Sequence, residues 1–410
     1  MADGRQFVIV GASLAGAKAA ETLREQGFDG GITLVGAEPE RPYERPPLSK
    51  DYLRGEAGRA SVYVHEEDWY DTHDVHLLLS TRAVALHPGD RQVELNDGSR
   101  LEYDALLLST GSEPRSLPVP GADLAGVLTL RTVQDSDAIA ERLNRGGRVV
   151  VIGGGWIGCE VAASARQKGL EVTLVMPEDV PLERVLGREM GMVFGDVHAD
   201  QGVELVTGAS VEAIEGDGRA ERVILGGGRP LQCDFVVYGV GVTPRVGLAE
   251  AAGLAVEGGV LVDERLEASV PGIFAAGDIA SHQHPLLQTR VRVEHWANAL
   301  NQGPAAARSM LGSGDPYELL PYFFSDQYDL GMEYTGWAPT WDDVVTRGDV
   351  AGREFIAFWR LDGRVVAGMN VNVWDVNEQI QEIVRAGGRP DPALLADPDV
   401  PLDDPRLLGR

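Results

Sequence analysis

The sequence predicts an α/β chain with two parallel-sheet domains of one pattern and a C-terminal α+β domain. Near the N-terminus a strand-like run leads through a glycine-rich turn into an alanine-rich helix, the same order returns 142 residues later (153 minus 11), and beyond Pro321 the sequence becomes strand-rich. At 410 residues the chain also exceeds the ~250 to 300 residues beyond which one core usually gives way to several.

The first unit runs from the strand-like Phe7 to Val10 through Gly11-Ala12-Ser13-Leu14-Ala15-Gly16 into a helix that stops at Gly27. A second strand, Ile32 to Val35, follows, and Glu38 stands 22 residues beyond Gly16 (38 minus 16), near the ~20 expected of an acid that binds a ribose. The second unit repeats this with Val149 to Ile152, then Gly153-Gly154-Gly155-Trp156-Ile157-Gly158, a helix to Gly169 and the strand Val172 to Met176. Each half continues with a hairpin signal, Asn96-Asp97-Gly98 or Gly226-Gly227-Gly228. An apolar strand then runs into a glycine turn: Ala105 to Leu108 before Ser109-Thr110-Gly111, and Phe235 to Tyr238 before Gly239-Val240-Gly241. In the C-terminal region Phe355 to Arg360 and Val365 to Val373 flank Asp362-Gly363, which predicts a hairpin. A helix is expected from Asp375, capped with Glu378, to the glycines 387 and 388, and the Pro- and Asp-rich tail reads as extended surface chain.

With 44% hydrophobic and 24% charged residues, and no apolar run near the ~20 a membrane helix needs, the composition excludes an integral membrane protein. The start, Met1-Ala2-Asp3-Gly4 and then the first strand, shows no secretory signal, so a cytoplasmic location is expected. A net charge of -27 repels nucleic acid and anionic membrane surfaces. The two cysteines, Cys159 and Cys233, form no Cys-x-x-Cys pair, which argues against a disulfide framework and a structural zinc site; no metal is expected. Nothing in the pattern fixes an oligomeric state beyond monomer or weak homodimer.

A glycine turn between strand and helix lets backbone amides approach a pyrophosphate at the positive end of the helix, so two such turns imply two Rossmann-like domains and two dinucleotides. Ser13 departs from the first fingerprint at the middle glycine, where serine is small enough to be tolerated. In the second, Met176 ends the strand where an acid would mark NAD. Glu178 or Asp179 could accept the ribose hydroxyls instead, whereas Arg184 could accommodate a 2'-phosphate, so NADH and NADPH both stay open here.

The run Arg41-Pro42-Tyr43-Glu44-Arg45-Pro46-Pro47-Leu48-Ser49-Lys50 resembles the signature of the NADH-dependent ferredoxin reductases that serve oxygenases. Thr110-Gly111, Leu130-Arg131-Thr132, Phe274-Ala275-Ala276-Gly277-Asp278, Glu294-His295-Trp296 and Phe324-Ser325-Asp326-Gln327 are similar to further landmarks of that family, in the same order. The resemblance implies a glutathione reductase-like architecture, with an FAD domain in two segments (1–115 and 242–320), an NAD(P)H domain (116–241) and a C-terminal interface domain (321–410). For FAD it implies Gly11, Ser13, Ala15 and Gly16 at the pyrophosphate, Glu38 on the ribose, Ala83 beside the adenine, and Thr110 and Gly111 over the site. Arg45, Lys50 and Arg131 would lie around the flavin and its phosphates, Gly277 and Asp278 at the ribityl region, and His295 and Trp296 along the flavin and nicotinamide. For the nicotinamide nucleotide it implies Gly153, Gly155, Ile157, Gly158, Glu160, Arg184 and Gly241, with Glu178 added from the spacing above.

Relatives that reduce disulfides or peroxides need a reactive thiol beside the flavin, and this chain has no cysteine before position 159. The expectation is therefore hydride transfer from NADH to FAD and single-electron delivery to a [2Fe-2S] ferredoxin serving a dioxygenase or cytochrome P450. Lys50, Glu160 and Trp296 are the expected catalytic residues, with Lys50 and Glu160 as an ion pair near flavin N5 and Trp296, ahead of Phe324, relaying electrons. Arg290, Arg292 and Arg308 could offer an acidic ferredoxin a basic patch. The alternatives are an NAD(P)H oxidase, a rubredoxin reductase, or a redox sensor similar to apoptosis-inducing factor.

Overall fold

The computed structural model describes residues 4–409, so Met1–Asp3, on which part of the N-terminal reading rests, lie outside it. The chain divides into two compact units. The first takes residues up to Glu44, Arg59–Glu113 and Thr243–Pro321; the second takes Arg45–Gly58, Pro114–Val242 and residues from Tyr322 onward.

In the first unit a five-stranded parallel sheet has the spatial order Ile273–Ala275, Ala105–Leu108, Gln6–Val10, Gly31–Val35, Val75–Leu78. Its runs 7–10, Ala105–Leu108 and Ile273–Ala275 are apolar without alternation because both faces are buried, whereas the edge strand Val75–Leu78 exposes His76. The helix Leu14–Glu25 follows the first strand and packs along the helix Trp296–Met310. That approach is close: a side chain at Gly303 would collide with the Ala15 carbonyl oxygen. An antiparallel meander, Ala83–His87, Gln92–Leu95 and Arg100–Glu102, turns at Asn96-Asp97-Gly98 as expected.

The second unit repeats the sheet in the order Glu204–Val206, Glu171–Val175, Arg148–Ile152, Phe235–Tyr238, Val127–Thr129, all parallel. The helix Trp156–Gln167 follows its glycine turn, and the helix Val133–Arg145 begins with a capping box between Thr132 and Asp135. A five-stranded antiparallel sheet, Tyr322–Gln327, Leu330–Gly336, Arg364–Val371, Glu354–Leu361 and Asp343–Asp349 in spatial order, completes the unit. The fully buried Trp359 donates its indole N–H to the carbonyl of Leu186, tying this sheet to the helix Glu183–Asp200.

Two expectations fail at the C-terminus. The last long helix spans Asn377–Ala386 and has no side-chain cap, because Asp375 lies at φ +61° while a capping residue needs extended backbone. The tail is not plain surface chain: Asp391 caps a short helix, Pro392–Ala396, and Leu395, Val400 and Leu407 are buried. Arg347 anchors it by donating to the carbonyls of Pro398 and Val400. Among the described residues no helix is long and apolar enough to cross a membrane, and no group of His, Cys, Asp and Glu could hold a metal ion.

Two fully enclosed histidines make stability depend on pH. Desolvation pushes His198 down from 6.5 to about 4 and His282 to about 3, so both stay neutral in the native chain. Unfolding frees them to take up protons below pH 6.5, so their contribution is whole above 6.5 and is lost as pH falls toward 4. Urea midpoints measured across pH 7 to 4 should fall with acidification, and His198→Gln should reduce the slope by about one proton.

Candidate active site

In the first unit the glycine turn is shaped by backbone crowding. Gly11 lies at φ +126°, and a side chain there would collide with the Ser109 carbonyl; one at Gly16 would collide with the carbonyl of Gly11. Ser13, at φ -130°, has extended backbone that any residue adopts, which explains why serine is accepted between them. Glu38 accepts a hydrogen bond from the Tyr43 hydroxyl at 2.5 Å. Ala83 opens the outer meander, and the Thr110 hydroxyl donates to the Arg245 carbonyl at 3.1 Å, next to Gly111.

Gly277, at φ +79°, begins the turn Gly277–Ile279 that carries the buried Asp278, and its N–H donates to the Gln302 side chain at 2.9 Å. His295 and Trp296 begin the adjoining helix. Desolvation pushes His295 down to about 4, against the pull of Asp278, so it is neutral at pH 7. Burial raises the Glu44 carboxyl, offset in part by a hydrogen bond with Trp296.

In the second unit the expected ion pair is formed. Lys50 Nζ lies 2.8 Å from Glu160 Oε2, with the two side chains only 12% and 6% exposed. Glu160 sits two residues after Gly158 on the helix Trp156–Gln167, and Lys50 follows the tight turn Pro46–Ser49. Two hydroxyls complete the carboxylate's shell: Ser49 donates to Oε2 at 2.5 Å and Ser325 to Oε1 at 2.7 Å. The turn is stapled in place, since Ser164 donates to the Ser49 carbonyl at 2.6 Å and Ser136 to that of Leu48 at 2.8 Å. The Lys50 ammonium also stands 5.8 Å from the Phe324 ring centre. Arg45 donates to the Arg131 carbonyl, and the Arg131 N–H to Asp135 at 3.0 Å.

At the second glycine turn, side chains on Gly153 and Gly158 would strike the carbonyls of Gly239 and Gly153. Gly155 is different. Its φ of -82° suits any residue, and a Cβ there would meet no protein atom within 4 Å. Protein packing does not require this glycine, and Ile157 beside it is 42% exposed, so the turn has an open face at Gly155. Gly241, at φ +100°, closes the opposite strand's turn, its carbonyl accepting from Arg115 N–H at 2.9 Å. Met176 is fully buried against Gly154. Glu178 is paired with Arg184 at 2.5 Å and Asp179 with Arg188 at 2.5 Å.

Residues 5–303 match the sequence pattern of the pyridine nucleotide-disulphide oxidoreductases, and residues 322–405 match that of the reductase C-terminal domain. The chain belongs to the pyridine nucleotide-disulphide oxidoreductase family. This oxidoreductase is 41% identical, over 97% of its length and 98% of the relative's, to the anthranilate 1,2-dioxygenase system ferredoxin–NAD(+) reductase component of Burkholderia cepacia. It is 37% identical to putidaredoxin reductase of Pseudomonas putida, over 97% and 96% of the two chains. A solved covalent putidaredoxin reductase–putidaredoxin complex superposes with a TM-score of 0.94 at 36% identity, covering 98% of each chain.

Despite the family's name, neither cysteine of this oxidoreductase is a ready nucleophile. Both are buried; burial and the Glu160 charge raise the Cys159 thiol, and burial carries Cys233 up to about 11. The basic patch fares poorly: Arg290 spends its guanidinium on the carbonyls of Val262 and Ser281, and Arg292 on Asp278 O and Glu294, leaving Arg308 as the exposed member. The sequence assigns no role to Ser49 or Ser325, although both stand inside recognisable motifs, the run Arg41 to Lys50 and Phe324-Ser325-Asp326-Gln327.

The two glycines separate packing from binding. Gly155→Ala should leave the melting temperature of the oxidoreductase unchanged but weaken pyridine nucleotide binding about tenfold or more, read by fluorescence titration. Gly158→Ala should instead cost about 1–3 kcal/mol of stability in urea unfolding.

Proposed function

We propose that this oxidoreductase is an FAD-dependent ferredoxin reductase that takes a hydride from NADH and passes single electrons to a [2Fe-2S] ferredoxin serving an oxygenase. The observation that carries the reading is the enclosed ion pair between Lys50 and Glu160 of the nucleotide-fingerprint helix, in a chain whose cysteines are both buried. Relatives named as ferredoxin reductases of dioxygenase systems and as putidaredoxin reductase support the acceptor. Free buried cysteines suit the reducing cytoplasm.

FAD, when bound, supplies a two-electron acceptor that can give its electrons up singly. Gly11, Ser13, Ala15 and Gly16 would hold its pyrophosphate, Glu38 its ribose, and Gly277 and Asp278 its ribityl region. Lys50 contributes a fixed cation, and Glu160 fixes it; a preorganised charge with little access to water stabilises developing negative charge more than solvent does. Neutral His295 adds no competing charge.

For the nucleotide, Gly153 to Gly158 would cradle the pyrophosphate and Glu178 the ribose. Arg184 is already engaged by Glu178, and a carboxylate so placed repels a 2'-phosphate, which favours NADH.

Anaerobic mixing of the FAD-loaded protein with NADH and with NADPH tests the reading. NADH should bleach the flavin quickly and NADPH slowly, and added [2Fe-2S] ferredoxin should reoxidise it. Rapid reoxidation by oxygen with no transfer to ferredoxin would instead establish an oxidase. Lys50→Met should slow the NADH reaction at least about tenfold.

A further inference from the structure

Glu160 is the end of a longer polar chain. Ser325, which donates to Glu160 Oε1, itself accepts from Gln327 Nε2 at 3.3 Å. Gln327 Oε1 lies 3.0 Å from His198 Nε2, and His198 Nδ1 lies 3.2 Å from the Tyr328 hydroxyl. Glu160, Ser325, Gln327 and His198 are all buried, so their polar atoms must find partners inside the protein.

Chemistry gives the chain a direction. An amide oxygen only accepts, so His198 Nε2 carries the proton and donates to Gln327. The bare Nδ1 of the neutral ring then accepts from Tyr328 O–H. Every donor therefore points toward Glu160, and aligned hydrogen bonds polarise one another so that the terminal carboxylate receives the strengthened one. Desolvation keeps His198 neutral, as this alignment requires.

A separate observation implicates Tyr328. It turns the chain between Tyr322–Gln327 and Leu330–Gly336 at φ +59°, a left-handed conformation that is strained for a non-glycine residue. Glycine or asparagine would make this turn more easily. A large aromatic here is accounted for if its hydroxyl is needed at His198.

We propose that Ser325, Gln327, His198 and Tyr328 are positioning residues that hold the Glu160 carboxylate, and through it the Lys50 ammonium, in the geometry used for hydride transfer. The proposal rests on the role given to that pair above.

Imidazole nitrogen-15 spectra, with the His198 signal assigned by its loss in His198→Asn, test the chain without any turnover. A neutral ring protonated at Nε2 is expected in both apo and FAD-loaded protein; a proton on Nδ1, or an even mixture, overturns the proposal. Tyr328→Phe keeps the ring and the turn, and should leave Nε2 protonated while moving the resonance of the bare Nδ1, which loses its hydrogen bond; an unmoved Nδ1 resonance overturns the place of Tyr328 in the chain. In single-turnover reduction, Ser325→Ala should slow flavin bleaching about tenfold with the NADH dissociation constant unchanged. Because Ser325 acts through Glu160, the same change in a Glu160→Gln background should have no further effect; an equal loss in both backgrounds overturns the positioning role. If Glu160→Gln alone bleaches at the wild-type rate, the reading of the pair fails, and the tautomer then decides the network by itself.

Discussion

One buried carboxylate organises the second unit. At 6% exposure, the Glu160 side chain cannot rely on water, and an unpaired charge there would cost several kcal/mol. It is satisfied by Lys50, Ser49 and Ser325, which come from two segments far from it in the chain. The signature segment, the fingerprint helix and the first strand of the C-terminal sheet must therefore meet at one point. This accounts for Arg45–Gly58 grouping with the second unit although its neighbours in sequence belong to the first. Replacing any of the three donors would leave the charge short of a partner it was buried to meet.

Much of the fold could be read from sequence because its signals are local. Gly11 and Gly153 are needed where a carbonyl of the neighbouring strand's turn leaves no room for a side chain, and the helices start within a few residues of them. The strands Ala105–Leu108 and Phe235–Tyr238 lie where the apolar runs ending in glycine turns placed them. Both hairpins also formed at their Asn-Asp-Gly and triple-glycine turns.

What could not be read depends on distance or on backbone state. Ser49 and Ser325 lie 111 and 165 residues from Glu160, and no periodicity reports such a meeting. Asp375 has the composition of a cap and the wrong φ, which composition does not encode. The tail looked solvated because Pro and Asp dominate it, yet three widely spaced apolar residues and one arginine suffice to dock it. The same held for Arg290, whose charge pointed to a surface role while its guanidinium serves as an internal strut for backbone carbonyls.

Met176 carries a lesson for redesign. The strand end where a specificity acid usually stands is here filled by a thioether packed against Gly154, closed to solvent and to any ribose. An engineer who installed an acid at that position would introduce a buried charge beside the backbone of the glycine turn, and would harm the fold before altering cofactor preference. On the reading proposed above, that preference lies further out, at Glu178 and Arg184, and the Arg184 side chain, 79% exposed, can be replaced at little cost to the fold. On that reading, cofactor choice is open to change through a surface residue without disturbing the core.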